Sequence, residues 1–163
     1  MEAYCGDFSS FRMKPELDRQ LVKEHPTLFA DRHADMRTTA MYWGFECGDG
    51  WYELLKDACD KIEPILAANK KADPLGWKCG LYRASQVKEK YGTLRLYLSG
   101  ASNEVYKIVD ELEHKSSTIC EECGKPGKII GGNWLYCRCR DCYEILINEG
   151  YTLDEYDRRE GYE

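Results

Sequence analysis

The sequence predicts an α+β protein in which helices pack on a small antiparallel β-sheet and a cysteine-rich unit closes the C-terminal end. Three observations predict this fold class. Several segments have apolar residues at helical spacing, one stretch alternates apolar and polar residues as a strand does, and four cysteines form two Cys-x2-Cys pairs. A chain of 163 residues is long enough for one compact core with such an appendage.

The first helix is predicted over Pro15–Glu24. Proline suits the first turn of a helix, and Leu17, Leu21 and Val22 share one face. Pro26 is expected to end this helix.

A second helix is predicted from Trp51, after residues 27–47, which show no clean period. Asp49 is the expected N-cap, and Pro64 is expected to kink or break the helix near residue 63. A polar connection should follow. The apolar positions of this helix recur over four turns: Trp51, Leu54, Leu55, Ala58, Cys59, Ile62, Ile65 and Leu66.

The stretch 84–99 is predicted to form a β-hairpin. Its second half alternates apolar and polar residues, and Tyr91-Gly92 is a credible two-residue turn. That turn would place Val87 opposite Leu96 on the face that meets the core.

The other face of this hairpin carries three cations. The same register places Lys88 opposite Arg95, with Lys90 beside them. Like charges directly across an antiparallel pair are unfavourable, so a carboxylate or a bound anion is expected over them. The alternative is that the long side chains splay into solvent.

A further helix is predicted after Gly100. Ser102 can cap it, and Val105, Ile108 and Leu112 share one face. This helix completes a body predicted over residues 1–118.

The four cysteines Cys120, Cys123, Cys139 and Cys142 are the predicted metal ligands. Two Cys-x2-Cys pairs at this separation are typical of a structural zinc ribbon, expected over residues 119–148 and integrated with the body. Four thiolates complete a tetrahedral Zn²⁺ and leave no open position for substrate or water. The predicted role of the metal is therefore folding.

Other assignments of the ligands remain open at this point. Cys137 could replace Cys139 or Cys142 in the second pair, although x2 spacing suits a knuckle better. His114 is a remote substitute ligand, and paired disulfides are a further alternative.

The remaining four cysteines, Cys5, Cys47, Cys59 and Cys79, are expected to be free thiols. The count of nine is odd, and the N-terminus lacks the layout of a signal peptide. These features favour a reducing cytosol. No apolar run approaches the length of a membrane span, so no membrane partner is expected.

The net charge of −6 lies at the C-terminus. Residues 141–163 hold eight acids and two bases, whereas residues 1–140 are balanced. The acidic tail, assigned to 149–163, disfavours general affinity for nucleic acid and could contact a basic partner. It could equally be a solvated terminus.

Nothing in the sequence indicates catalysis. There is no phosphate-binding glycine loop, no nucleophile elbow and no His-x-Glu pair of a deaminase. The aromatic side chains of Trp43, Trp51 and Tyr52 could line a binding pocket, but core packing explains them equally well. We therefore expect a protein that is not an enzyme.

Three strings carry a family resemblance: WGFECGDGWY at 43–52, QVKEKYGTLRLY at 86–97, and the Cys-x2-Cys pairs around Trp134. Together they resemble a family of small uncharacterised proteins of bacteriophage and prophage genomes, over roughly residues 12–148. The family pattern, in which the second pair follows a tryptophan, implies Cys139 and Cys142 as ligands.

The resemblance implies a phage accessory protein that acts by binding in the host cytoplasm. We expect either an inhibitor of a host defence protein or a protein that sequesters a small anionic ligand. Trp43, Trp51, Tyr52, Lys88, Lys90 and Arg95 are the candidate binding residues. The alternative is a zinc-ribbon protein that binds nucleic acid or regulates transcription; Lys125, Lys128, Arg138 and Arg140 support it, and Glu121 and Glu122 oppose it.

Overall fold

The computed structural model describes residues 12–150, and the predicted fold class, α+β, is confirmed. Cys5 and the acidic tail from residue 151 onward lie outside the described residues. The helices are α1 (Pro15–Glu24), α2 (Tyr52–Ala72), α3 (Pro74–Lys78), α4 (Asn103–Ser116) and α5 (Arg140–Asn148), with 3₁₀ turns at Ala40–Trp43 and Asp49–Trp51. The strands are β1 (Phe45–Glu46), β2 (Arg83–Lys90), β3 (Thr93–Ser99), β4 (Lys128–Ile130) and β5 (Tyr136–Arg138).

Two helices form as their sequences predict. The bounds of α1 match the prediction, with proline in its first turn and Leu21 fully buried. The Ser102 side chain caps α4 by accepting a hydrogen bond from the Val105 N–H at 3.4 Å. One face of α4 packs Val105 and Leu112 against the core.

The β2–β3 hairpin has the predicted register. Val87 pairs with Leu96 and Lys88 with Arg95. Tyr91 and Gly92 form the two-residue turn with φ of +56° and +77°. Positive φ at both positions is the geometry that matches the twist of paired strands.

The sheet is mixed, however, and not antiparallel throughout. Phe45 and Glu46, in the segment expected to be a connection, form β1 and pair parallel to Val87 and Lys88 of β2. A two-residue strand leaves no alternation to detect, so its signal is absent from the sequence. Its position depends on Phe45, which is buried against Phe29 with ring centroids 4.8 Å apart.

The expected cap of α2 by Asp49 and the expected break of this helix at Pro64 are both wrong. Asp49 does not cap the helix; its carboxylate accepts the Lys14 backbone N–H at 2.8 Å. Pro64 does not break it, because Ile62 and Leu66 are fully buried on either side and hold the helix to the core. Proline is tolerated here on the exposed face, at the loss of one backbone hydrogen bond.

The second sheet, β4–β5, belongs to the predicted ribbon. Its two strands have three residues each, and Trp134 lies in the loop between them. The following helix begins at Arg140, because Cys139 acts as its N-cap. No helix in residues 12–150 is long and apolar enough to cross a membrane.

Candidate metal centre

The first Cys-x2-Cys pair lies on a tight turn. The Cys120 N–H donates to the Lys125 carbonyl at 2.8 Å, and the Gly124 N–H donates to the Cys120 carbonyl at 2.9 Å. Gly124 has φ of +77°, a left-handed conformation that glycine adopts without strain. The turn therefore brings both thiols to one side of the chain.

The second pair lies at the start of α5. Cys139 is the N-cap, and its Sγ accepts the Cys142 N–H at 3.4 Å. Cys139 at the N-cap and Cys142 three residues later therefore lie on the same first turn of the helix.

The two turns converge on one point. The Sγ atoms of Cys120, Cys123, Cys139 and Cys142 all lie within 4.8 Å of one another. Cys123 Sγ and Cys139 Sγ are 3.5 Å apart. Tetrahedral zinc with bonds of about 2.3 Å would separate its sulfurs by about 3.8 Å, so the four side chains fit such an ion.

The thiols influence one another strongly. A hydrogen bond from the Cys142 thiol, together with backbone N–H groups, holds the pKa of Cys120 well below its usual range. Burial and the neighbouring Cys120 thiolate raise the pKa of Cys123. The surrounding protein groups thus stabilise the thiolate of Cys120 and disfavour that of Cys123. A bound cation would stabilise the thiolate form of all four cysteines.

Cys137 is not part of this group. It is fully buried in the main core, its thiol donates to the Ile119 carbonyl at 3.1 Å, and burial raises its pKa to about 12. His114 lies on α4 and is not in the cluster either. Each of the eight cysteines within residues 12–150 is a free thiol.

The metal centre is attached to the body through the loop before α2. The Gly50 N–H donates to the Glu121 carbonyl at 2.7 Å, and the Gly48 N–H donates to the Glu121 carboxylate at 3.0 Å. The Trp51 indole N–H donates to the Ile119 carbonyl at 2.7 Å. The string CGDGW thus holds the first cysteine turn against the core, a role that its sequence alone does not reveal.

A buried ion-pair network lies beside the cysteines. Arg138 has a side chain only 3% exposed and donates to Glu121 at 3.1 Å and to Glu122 at 3.3 Å. Burial raises the pKa of Glu122 to about 7 and also raises that of Glu121, with Arg138 opposing both shifts. In the sequence, Arg138 counts in favour of nucleic-acid binding and the two glutamates against it. All three side chains instead form this buried structural network.

The structure separates the six candidate binding residues. Trp51 is fully buried and Tyr52 is 8% exposed, so both belong to the core and are inaccessible to a ligand. Trp43 is 41% exposed at a different place in the fold. The predicted aromatic cluster therefore does not form one pocket, because Trp51 points inward to reach Ile119.

The cations of the hairpin do lie together. A carboxylate is found beside them, as the like-charge pairing predicts: Glu113 of α4 is 3.2 Å from Arg95. Lys88 and Lys90 make no ion pair with any residue in 12–150 within 4.0 Å, and the Lys90 ammonium lies 5.4 Å from the centre of the Tyr91 ring. These two lysines remain available for an anion.

A second group of possible metal ligands is formed by Glu24, His25 and Asp60. The side chains of this group already have hydrogen-bond and ion-pair partners within the protein. The two ring nitrogens of His25 face the Leu21 carbonyl and the Asp60 carboxylate, each at 2.7 Å. The Lys56 ammonium lies 2.8 Å from Asp60 and 3.6 Å from Glu24. Protein groups thus occupy the position that an ion would take.

Comparisons with family models, characterised proteins and solved structures give no significant match to this chain.

Proposed function

We propose that the four cysteines bind one structural Zn²⁺ ion. The observation that carries this proposal is the convergence of four sulfur atoms within 4.8 Å on two N–H-rich turns. Soft thiolates in a tetrahedral set favour zinc, with iron as the competing metal. All four ligands come from the protein, so the ion would complete the fold and leave no place for substrate.

The test is a pair of serine substitutions. Cys120→Ser and Cys123→Ser should each release zinc and melt or aggregate the C-terminal part, because the ion supplies folding energy there. Cys79→Ser is a matched control, since Cys79 is exposed and outside the cluster. Stoichiometric zinc and unchanged stability in the two ligand variants would overturn the proposal.

We further propose that the protein acts by binding rather than catalysis, as a phage accessory factor in the bacterial cytoplasm. The resemblance of the three strings supports the phage origin and a counter-defence or ligand-sequestering role. Lys88 and Lys90, both half-buried on β2 and without an ion pair within 4.0 Å among residues 12–150, support an anionic ligand or acidic partner. Arg95 contributes less than its sequence position suggests, since Glu113 already neutralises it.

A double charge reversal tests this surface. Lys88→Glu with Lys90→Glu should abolish capture of the host protein or anionic ligand from infected-cell lysate, measured by mass spectrometry against the unaltered chain. Lys61→Glu with Lys107→Glu reverses two exposed helical lysines and should leave capture unchanged. Equal loss in both variants, or no loss in the first, would contradict the proposal.

One observation favours nucleic acid as a second candidate partner. Tyr91 and Trp134 are 65% and 66% exposed, each at the turn of a hairpin. The two hairpins meet where Gly92 lies against Ile129. Exposed aromatic rings with cations such as Lys90 nearby are typical of single-strand binding. A salt-dependent affinity for oligonucleotides that Trp134→Ala removes would support this candidate.

A further inference from the structure

A pocket of about 530 Å³ lies between the start of α1 and the segment that leads into β1. Met13 and Phe45, both buried, provide an apolar floor, and the half-exposed ring of Trp43 forms part of the wall. Its volume falls within the range of small-molecule sites, roughly 300–1,000 Å³. The pocket shares no lining residue with the metal centre or with the lysines of the hairpin.

The polar lining of this pocket is strongly cationic. Arg12, Lys14, Arg19 and Arg32 line it, and Asp18 is the one carboxylate among its described lining residues. Asp18 is already neutralised, because Arg32 donates to its two oxygens through Nε at 3.0 Å and Nη2 at 2.8 Å. Lys14 is 3.6 Å from Asp49, so Arg19 is the lining cation that has no ion pair within 4.0 Å among residues 12–150.

One of the cations is placed to meet a ligand. Arg19 makes no ion pair within 4.0 Å with any residue in 12–150, whereas the Arg12 guanidinium lies over the Trp43 ring, 5.6 Å from its centre. Arginine binds phosphate through paired N–H groups and also stacks on aromatic rings.

The aromatic wall is held in position before any ligand arrives. Tyr42 contacts the Trp43 ring edge to face, with centroids 5.1 Å apart and an interplanar angle of 88°. A ring fixed in this way loses little conformational freedom when a planar group stacks on its exposed surface.

We propose that this pocket binds a small phosphorylated aromatic ligand, of which a nucleoside monophosphate is the simplest form. The base stacks against Trp43 over the apolar floor, and the phosphate is held by Arg19. This site is separate from the surfaces discussed under the proposed function, and the inference does not depend on them.

The test is a titration of the full, metal-loaded chain with adenosine monophosphate, followed by tryptophan fluorescence and calorimetry. Adenosine and ribose 5-phosphate serve as the half-ligands. We expect saturable 1:1 binding of the nucleotide, with both half-ligands at least tenfold weaker because each lacks one of the two contacts.

Substitutions locate the contacts. Stacking of a base on an aromatic residue is worth about 5- to 150-fold in affinity, so Trp43→Ala should weaken binding by at least about fivefold while Trp43→Phe retains most of it. Arg19→Gln should also weaken it about tenfold. Trp134→Phe and Lys61→Gln are matched controls outside the pocket and should change neither affinity nor quenching.

Three results would overturn the proposal. They are no binding of the nucleotide at millimolar concentration, equal affinity for ribose 5-phosphate and the nucleotide, or unchanged affinity in Trp43→Ala. Loss of the fluorescence signal in Trp134→Phe alone would place the ligand on the ribbon and would also contradict it.

Discussion

Gly50 is the position where the contact between the body and the metal centre is closest. A Cβ atom added there would lie 2.2 Å from the Cys120 carbonyl oxygen, 2.5 Å from that of Glu121 and 2.6 Å from the Gly124 nitrogen. All three atoms belong to the backbone, so no side chain can rotate to make room. Gly50→Ala must therefore separate the loop from the first cysteine turn.

The expected cost has two parts. Overpacking of this kind costs about 1–3 kcal/mol. Separation also breaks the hydrogen bond from the Gly50 N–H to Glu121, worth about 0.5–1.5 kcal/mol. We expect a total loss of about 1.5–4.5 kcal/mol, a large share of the roughly 5–15 kcal/mol that stabilises a typical domain. The melting temperature should fall by roughly 5–15 °C.

Denaturant unfolding combined with a competition assay against a zinc chelator measures both effects. Gly50→Ala should lower the free energy of unfolding and also weaken metal retention, because the clash displaces the backbone of Cys120. Gly80→Ala is the control: its φ is +92° and no atom lies within 4 Å of the added Cβ, so only backbone strain of about 1–2 kcal/mol is expected. Metal retention in Gly50→Ala equal to that of Gly80→Ala would refute the reasoning.

Three further substitutions test other parts of the structure. Cys137→Ala should keep stoichiometric metal and lose about 1–2 kcal/mol of stability, since its thiol fills the core; loss of metal on elemental analysis would make it a ligand after all. Trp51→Phe removes the 2.7 Å indole donor from the Ile119 carbonyl, which keeps only the Cys137 thiol at 3.1 Å, and should cost about 0.5–1.5 kcal/mol in urea unfolding; unchanged stability would show that this bond contributes nothing. The Tyr82 hydroxyl lowers the pKa of Asp73, so this carboxylate stabilises the fold above its unfolded pKa of about 4, and the stability is lost as pH falls through the folded value. Asp73→Asn should therefore flatten the decline in stability below about pH 4, and an unaltered pH profile would contradict that assignment.

Much of the fold follows from local sequence signals. The hairpin register is determined by alternation and by Tyr91-Gly92, and α4 by its serine cap and apolar face. The helix does not break at Pro64, because the local cost of proline is outweighed by the burial of Ile62 and Leu66 on the same helix. Strand β1 was missed because two residues are too few to show a period.

The metal ligands were predictable because their spacing reflects the geometry of a tight turn, and the structure brings those four cysteines together. The Glu121–Arg138 pair was misassigned because it forms between the first cysteine turn and β5, against the loop at Gly48, and these segments are distant in sequence. Charge in the sequence does not show whether a side chain is buried. For the same reason the clustering of Arg12 and Arg19 beside Trp43 emerges only from the tertiary structure.

X-ray absorption at the zinc edge, combined with elemental analysis of the protein purified under reducing conditions, tests the central claim most directly. The account predicts one zinc per chain, bound by four sulfur atoms at about 2.3 Å. A chain that folds without stoichiometric metal, one that holds iron instead, or a zinc ion with an oxygen or nitrogen ligand would contradict a closed four-cysteine zinc site.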